Sequence, residues 1–263
     1  LPHRKPKRNP IGVLDSPAAL ALALLAAFCI GMSKAGFSGI SLIAIFIMAD
    51  LYGAVPSTGI MLPLLIAADL AVYPAFRKHG SWKPVWKLLP ATLAGLAIGV
   101  WLLKVILVQE SSDQVARRVI GGCILAMVAL QAFRAWKPVL AERLANARSF
   151  GTAAGITGGI TTMLANAAGP VIQLYLLSRR IPKMELLGIG ARFFLLVNLV
   201  KVPLSGSFNL ITPATLWDNL KCLPAIFAGI WVGKWLVQRV SQRAFEWLVI
   251  GFSLIVAGRL LLA

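Results

Sequence analysis

Among the ionisable side chains in or beside the long apolar runs, Lys34, Asp69, Arg192 and Lys201 stand out. A charge inside a bilayer costs at least about 2 kcal/mol, so such residues mark a site or a buried pair. The Lys34 ammonium can neutralise an anion, or it can form a structural pair with Asp69. Arg192 lies well inside its run, where a planar guanidinium can hold an oxyanion bidentately or anchor a lipid headgroup. Lys201 is near the end of its run, so its stem reads as snorkelling outward. Asp69 can relay a proton or pair with Lys34 or Lys201. Asn198 and Gln173 add side-chain amides that can bind a ligand or join helices.

Two of these residues adjoin chain breaks. Lys34 opens the run Lys34-Ala35-Gly36-Phe37-Ser38-Gly39, and Asn166 opens Asn166-Ala167-Ala168-Gly169-Pro170. Each break precedes a short apolar segment, 38–49 and 167–177, too short for a roughly 30 Å hydrocarbon core. These read as half-helices. Their N-terminal N–H groups and positive dipole ends suit an anion. Gly36, Gly39 and Gly169 would let backbone approach it, while Ser38 and Asn166 would add hydrogen bonds. A purely packing role for the glycines is the competing reading.

The elements that must position these residues are long and apolar. Of 263 residues, 59% are hydrophobic and 13% charged, against about 25% charged in an average soluble domain. The net charge of +17 would suggest nucleic acid in a soluble protein, but the basic residues crowd into gaps between apolar runs. That is the pattern of a polytopic membrane protein, with the bilayer as partner and no nucleic acid. At about 20 residues per spanning helix, the chain has no room for a soluble catalytic domain. Cys29, Cys123 and Cys222 lie in separate runs and read as small hydrophobes. His3 and His79 lie in a tail and a gap. No metal or cofactor motif is present, and no enzyme is expected. The first ten residues read as a basic tail without the apolar core of a signal peptide.

An internal repeat is the strongest pattern. Pro90-Ala91-Thr92-Leu93-Ala94-Gly95-Leu96-Ala97-Ile98-Gly99-Val100-Trp101-Leu102 matches Pro224-Ala225-Ile226-Phe227-Ala228-Gly229-Ile230-Trp231-Val232-Gly233-Lys234-Trp235-Leu236. Asp69 with Pro74 aligns to Asn198 with Pro203, and Gly39 to Gly169, at a similar spacing. The expected division is a basic tail over 1–16, a first transmembrane repeat over 17–133, a basic cytoplasmic linker over 134–149 and a second repeat over 150–263. Basic gaps fall at 77–87, 134–148, 179–183 and 239–243, whereas 109–113 and 205–217 carry no Lys or Arg. Folding each short segment back on its predecessor puts all four basic gaps on one, cytoplasmic side. The predicted fold is therefore all-α, with two inverted repeats, each a re-entrant hairpin of half-helices plus three transmembrane helices. The scheme leaves the basic tail outside; either the first pair crosses once, or the tail is a local exception. The Gly-x-x-x-Gly pairs Gly95/Gly99, Gly151/Gly155 and Gly229/Gly233 read as helix contacts, within one chain or in a homodimer.

The combination Asn166-Ala167-Ala168-Gly169-Pro170 followed by Phe193-Phe194-Leu195-Leu196-Val197-Asn198-Leu199-Val200-Lys201-Val202-Pro203 resembles the second-half signature of the sulfite exporter TauE/SafE family, also called the toluene-sulfonate uptake permease family. The resemblance covers nearly all of the chain after the tail. It implies a secondary transporter, often an exporter, of sulfite, sulfonates or related small anions across the bacterial inner membrane. By position it assigns Asn166, Gly169, Asn198 and Lys201 to the site. The first half has Gly36-Phe37-Ser38-Gly39 where many members have a longer glycine run, a departure that bears on substrate choice. A membrane enzyme acting on a phosphorylated lipid and an uncoupled anion channel are the alternatives.

Overall fold

Apolar helices that must satisfy their own backbone, interrupted twice by Gly and Asn, set the architecture. The structure, a computed structural model, describes residues 13–109, 112–147, 149–179, 181–237 and 239. The basic tail before residue 13 and the expected last helix of the second repeat lie outside the described residues. The helices are α1 Pro17–Lys34, α2 Ser41–Tyr52, α3 Ala54–Phe76, α4 Lys83–Val108, α5 Ser112–Trp136, α6 Pro138–Ala145, α7 Phe150–Ala165, α8 Gly169–Ser178, α9 Lys183–Gly206 and α10 Pro213–Val237. Among the described residues there is no strand. Among the described residues, five helices are long and apolar enough to cross a membrane: α1, α3, α4, α5 and α9.

Local chemistry explains the ends. Ser16 caps α1, its Oγ accepting the Ala19 N–H at 3.1 Å, with Pro17 preset at the first helical position. At the second break Asn166 adopts a left-handed conformation, φ 55°, and the Asn166 and Ala167 N–H groups donate to Thr162 and Thr161 carbonyls. At the first break Gly36 has φ 126°, a conformation side chains resist. A single 3-10 turn, Ser38–Ile40, leads into α2. The two short helices thus arise where the sequence places them.

Much of the expected basic linker over 134–149 is helical: α5 continues to Trp136 and α6 follows. Ala141 and Ala145 on α6 pack against Leu174 of α8, which gives this segment an apolar face. Likewise α10 begins at Pro213, well before the apolar run at Leu220, because Thr212 and Thr215 exchange capping hydrogen bonds.

Helix pairing crosses between the two sequence-related segments. The most extensive contacts are α4 with α7 and α1 with α10, and α3 runs against α9. Small residues allow the approach. A Cβ on Gly95 would lie 2.1 Å from the Ile156 carbonyl oxygen, and one on Gly229 would lie 2.1 Å from that of Phe28. Gly95 and Gly99 meet Ile156 and then Met163, so α4 and α7 run parallel; Gly229 and Gly233 meet Phe28 and then Ala35, so α1 and α10 do too. Pro74 and Pro203, and Pro90 and Pro224, all lie inside helices at corresponding places.

Candidate anion site

Where the two breaks meet, α8 packs against the turn before α2. A cavity of about 90 Å³ lies there, bordered by Lys34, Gly36 and Ser41 from the first break and Asn166, Gly169 and Gln173 from the second. Asp69 and Asn198, on the facing helices α3 and α9, close its deep end. From them it extends past Val72, Leu176 and Leu186, toward the helix ends that carry the basic gaps. The other end of α3 is tightly packed: a Cβ on Gly59 would lie 2.3 Å from the Leu210 Cβ.

Two lysines have different settings here: Lys34 borders the cavity, and Lys201 is bonded to Asn166 behind it. Lys34 Nζ is 2.6 Å from Asp69 Oδ1, and the Asn198 side-chain amide donates to Asp69 Oδ2 at 2.8 Å. The carboxylate is fully buried, whereas the Lys34 side chain keeps 12% of its surface exposed. Its ammonium also stands 4.8 Å from the centre of the Phe194 ring, a cation–π geometry. As the last residue of α1, Lys34 lies at the negative end of that helix dipole as well. Lys201 is 1% exposed and does not snorkel, contrary to expectation. Its Nζ donates to the Thr162 carbonyl at 2.7 Å, to Thr162 Oγ1 at 3.3 Å and to Asn166 Oδ1. An ammonium has three donors, so these oxygens use all of them. Asn166 in turn donates to the Thr58 carbonyl at 2.9 Å, tying the second break to α3.

The remaining sequence candidates divide. Gly36, Asn166, Gly169, Gln173 and Asn198 border the cavity. Gly39 is buried beside the first break but is not among the residues bordering it. The backbone of Ser38 forms the 3-10 turn, and its side chain lies outside the described residues. Arg192 is a correction. Its guanidinium donates to the carbonyls of His79 at 2.9 Å, Gly80 at 2.8 Å and Arg77, and it lies over the Trp82 ring. It fastens the α3–α4 turn to α9 instead of facing the cavity; a turn with unpaired carbonyls is a partner that periodicity does not reveal.

Sequence reasoning missed Ser33, Ser41, Thr162 and Phe194, all of which border the cavity. Hydroxyl and aromatic residues are common in spanning helices, and only the three-residue distance of Ser41 from Ser38 hinted at a polar mouth. It also missed Asp218, a second buried acid, which accepts from Tyr52 Oη at 3.3 Å and from Lys221 at 3.1 Å.

A polytopic helical protein with broken helices converging on an internal polar cavity is the architecture of a membrane transporter. The family comparison agrees: the model described as "Sulfite exporter TauE/SafE" matches residues 20–260. The chain belongs to the sulfite exporter TauE/SafE family, whose members are transporters of sulfite- and sulfonate-type anions and not enzymes. No curated protein and no solved structure matches it.

Proposed function

We propose that the chain is a secondary transporter, functioning as an exporter, of a small sulfur oxyanion such as sulfite or an organosulfonate across the bacterial inner membrane. The observation that carries this reading is the Lys34 ammonium in a small cavity where both chain breaks converge. The anion binds beside Lys34, with Gly36, Ser38 and Gly39 supplying one break and Asn166, Gly169 and Gln173 the other. Asn198 orients Asp69, and Lys201 supports the site from behind by fixing Asn166. Arg192 acts at one remove, through the turn it holds.

Alternating access is the proposed cycle. The antiparallel run of α3 against α9, the two helices made equivalent by Asp69 and Asn198, supports two inverted repeats: those residues meet each other, Gly59 meets Leu210, and Phe76 meets Gly188. The extension of the cavity toward the basic gaps supports reading this as an inward-facing state. The inner mouth would close by movement of α8 and α9 toward α3, while the packed contact at Gly59 and Leu210 opens. Uptake into proteoliposomes of sulfite, taurine, sulfoacetate and sulfate tests the reading. Saturable uptake of a sulfur oxyanion is expected; failure of all four would overturn it.

A further inference from the structure

We propose that Asp69 is the binding site of a co-transported proton, taken up when the anion displaces its carboxylate from Lys34, so that one proton travels with each anion. The inference rests on the anion-site reading and adds the coupling ion and its stoichiometry. Its basis is the arrangement at the deep end of the cavity, where one ammonium already serves one carboxylate at 2.6 Å.

Charge accounting gives the rest. In the empty site Lys34 and Asp69 neutralise each other. An anion arriving at Lys34 without a proton would leave an unpaired buried carboxylate, which is costly in a low-dielectric interior. A proton arriving without an anion would leave Lys34 as an uncompensated cation. Of the loaded forms, only the one carrying both anion and proton leaves neither Lys34 nor the buried Asp69 carboxylate without a partner, and Lys201, held by neutral oxygens, adds the same charge to every form. The step balances: a proton from the aqueous side adds to an Asp69 oxygen, Lys34 stays an ammonium, and the anion takes the carboxylate's place. Asn198 holds Oδ2 at 2.8 Å and leaves Oδ1, the atom facing Lys34, as the protonation point.

Other charges packed around α3 do not substitute. Lys201, on α9, spends its three donors on Thr162 and Asn166. On α10, Asp218 and Lys221 bind each other beside Tyr52, and Lys234 lies over the Phe76 ring at the opposite end of α3. On α5, Asp113 accepts from the Ala54 N–H and from Arg117 at the start of α3; Arg118 and Arg134 are on that helix too. On α2, Asp50 is exposed. On α9, Glu185 lies in the first turn, and Arg192 is held by backbone carbonyls. Helix α7 has no ionisable residue.

The test uses methanesulfonate, whose own acid form is not populated near neutrality, with sulfite as a second probe. Counterflow without any pH gradient first measures whether the anion is carried; its absence for both probes overturns the anion-site reading and the coupling with it. Given counterflow, an acid-outside gradient of one pH unit should drive roughly tenfold accumulation of methanesulfonate. An internal pH dye should report one proton entering per anion. In Asp69→Asn the gradient should no longer drive accumulation, and counterflow should lose its dependence on pH. If Asp69→Asn does not fold, the wild-type proton-to-anion ratio decides alone. Protons moving opposite to the anion, no proton movement, or gradient-driven accumulation by Asp69→Asn at the wild-type level would each overturn the proposal.

Discussion

Two lysines near the cavity, Lys34 bordering it and Lys201 buried behind Asn166, are built differently. Lys34 meets a carboxylate, keeps part of its side chain exposed and shares its ammonium with an aromatic face. Lys201 meets only neutral oxygens, which occupy every donor it has, and is 1% exposed. A lysine paired with a carboxylate in a cavity can exchange one anion for another. A lysine surrounded by carbonyl, hydroxyl and amide oxygens has no anion to exchange and instead fixes the break at Asn166. The difference assigns transport chemistry to the first and preorganisation to the second.

The largest effect that separates them is on transport. Replacing the pair together, Lys34→Met with Asp69→Asn, leaves no unpaired buried charge, so the protein should still fold. Anion flux should fall by at least about 30-fold, the lower end of what removing a desolvated charged partner costs. Flux in proteoliposomes, normalised to monodisperse protein, measures this. Lys201→Met should act mainly on stability. It leaves the Asn166 amide oxygen without its donor, while the Thr162 carbonyl keeps the Asn166 N–H, so about 1–3 kcal/mol is lost for the unsatisfied group. Thermal unfolding in detergent should shift down, while flux per folded molecule falls far less than in the Lys34 pair. A Lys201→Met protein of normal stability that carries no anion would reverse the assignment.

A smaller effect probes the resemblance between the two crossed helix pairs. Gly95→Ala and Gly229→Ala each push a Cβ to 2.1 Å from a carbonyl oxygen of the partner helix. Each should cost about 1–3 kcal/mol as overpacking, and the two losses should be similar in unfolding experiments. Widely unequal losses would show that the pairs are not structurally equivalent. The smallest effect is expected from Arg192→Lys. A lysine cannot reproduce the planar fork that reaches three carbonyls, so about 1–2 kcal/mol of stability should go. The KM for the anion should stay within about threefold of wild type, about 0.65 kcal/mol, since Arg192 does not border the cavity. A much larger KM change would place Arg192 at the substrate after all.

The broken helices were legible because Gly, Asn and Pro punctuate an apolar chain where few other residues do. The repeat was legible for the same reason: the Pro-Ala and Gly-x-x-x-Gly spacing marks α4 and α10, and both sets of glycines pack against backbone. The juxtaposition of Asp69 with Asn198 was half visible. Their equivalence in the repeat was evident, but that equivalent positions on α3 and α9 touch across the cavity follows from packing alone. The pairing of Lys34 with Asp69 was one of two readings, and charge in an apolar run gave no means to choose between a partner and a ligand. Lys201 was misplaced because distance from a helix end measures depth but not rotation, and its helix turns that face inward. Arg192 was misplaced because its acceptors are main-chain carbonyls, which every residue possesses. The hydroxyl and aromatic lining of the cavity carries no charge or spacing that distinguishes it from ordinary helix-packing residues.

The central claim is that the anion occupies the cavity beside Lys34. Its most direct test is protection of a single introduced thiol. In a background with Cys29, Cys123 and Cys222 replaced, Ala191→Cys borders the cavity, while Val200→Cys on the same helix is exposed on the outer face. A transported sulfonate or sulfite should slow labelling at position 191 saturably, with half-protection near its KM, and leave position 200 unchanged. Equal labelling rates at position 191 with and without a transported anion would contradict the account.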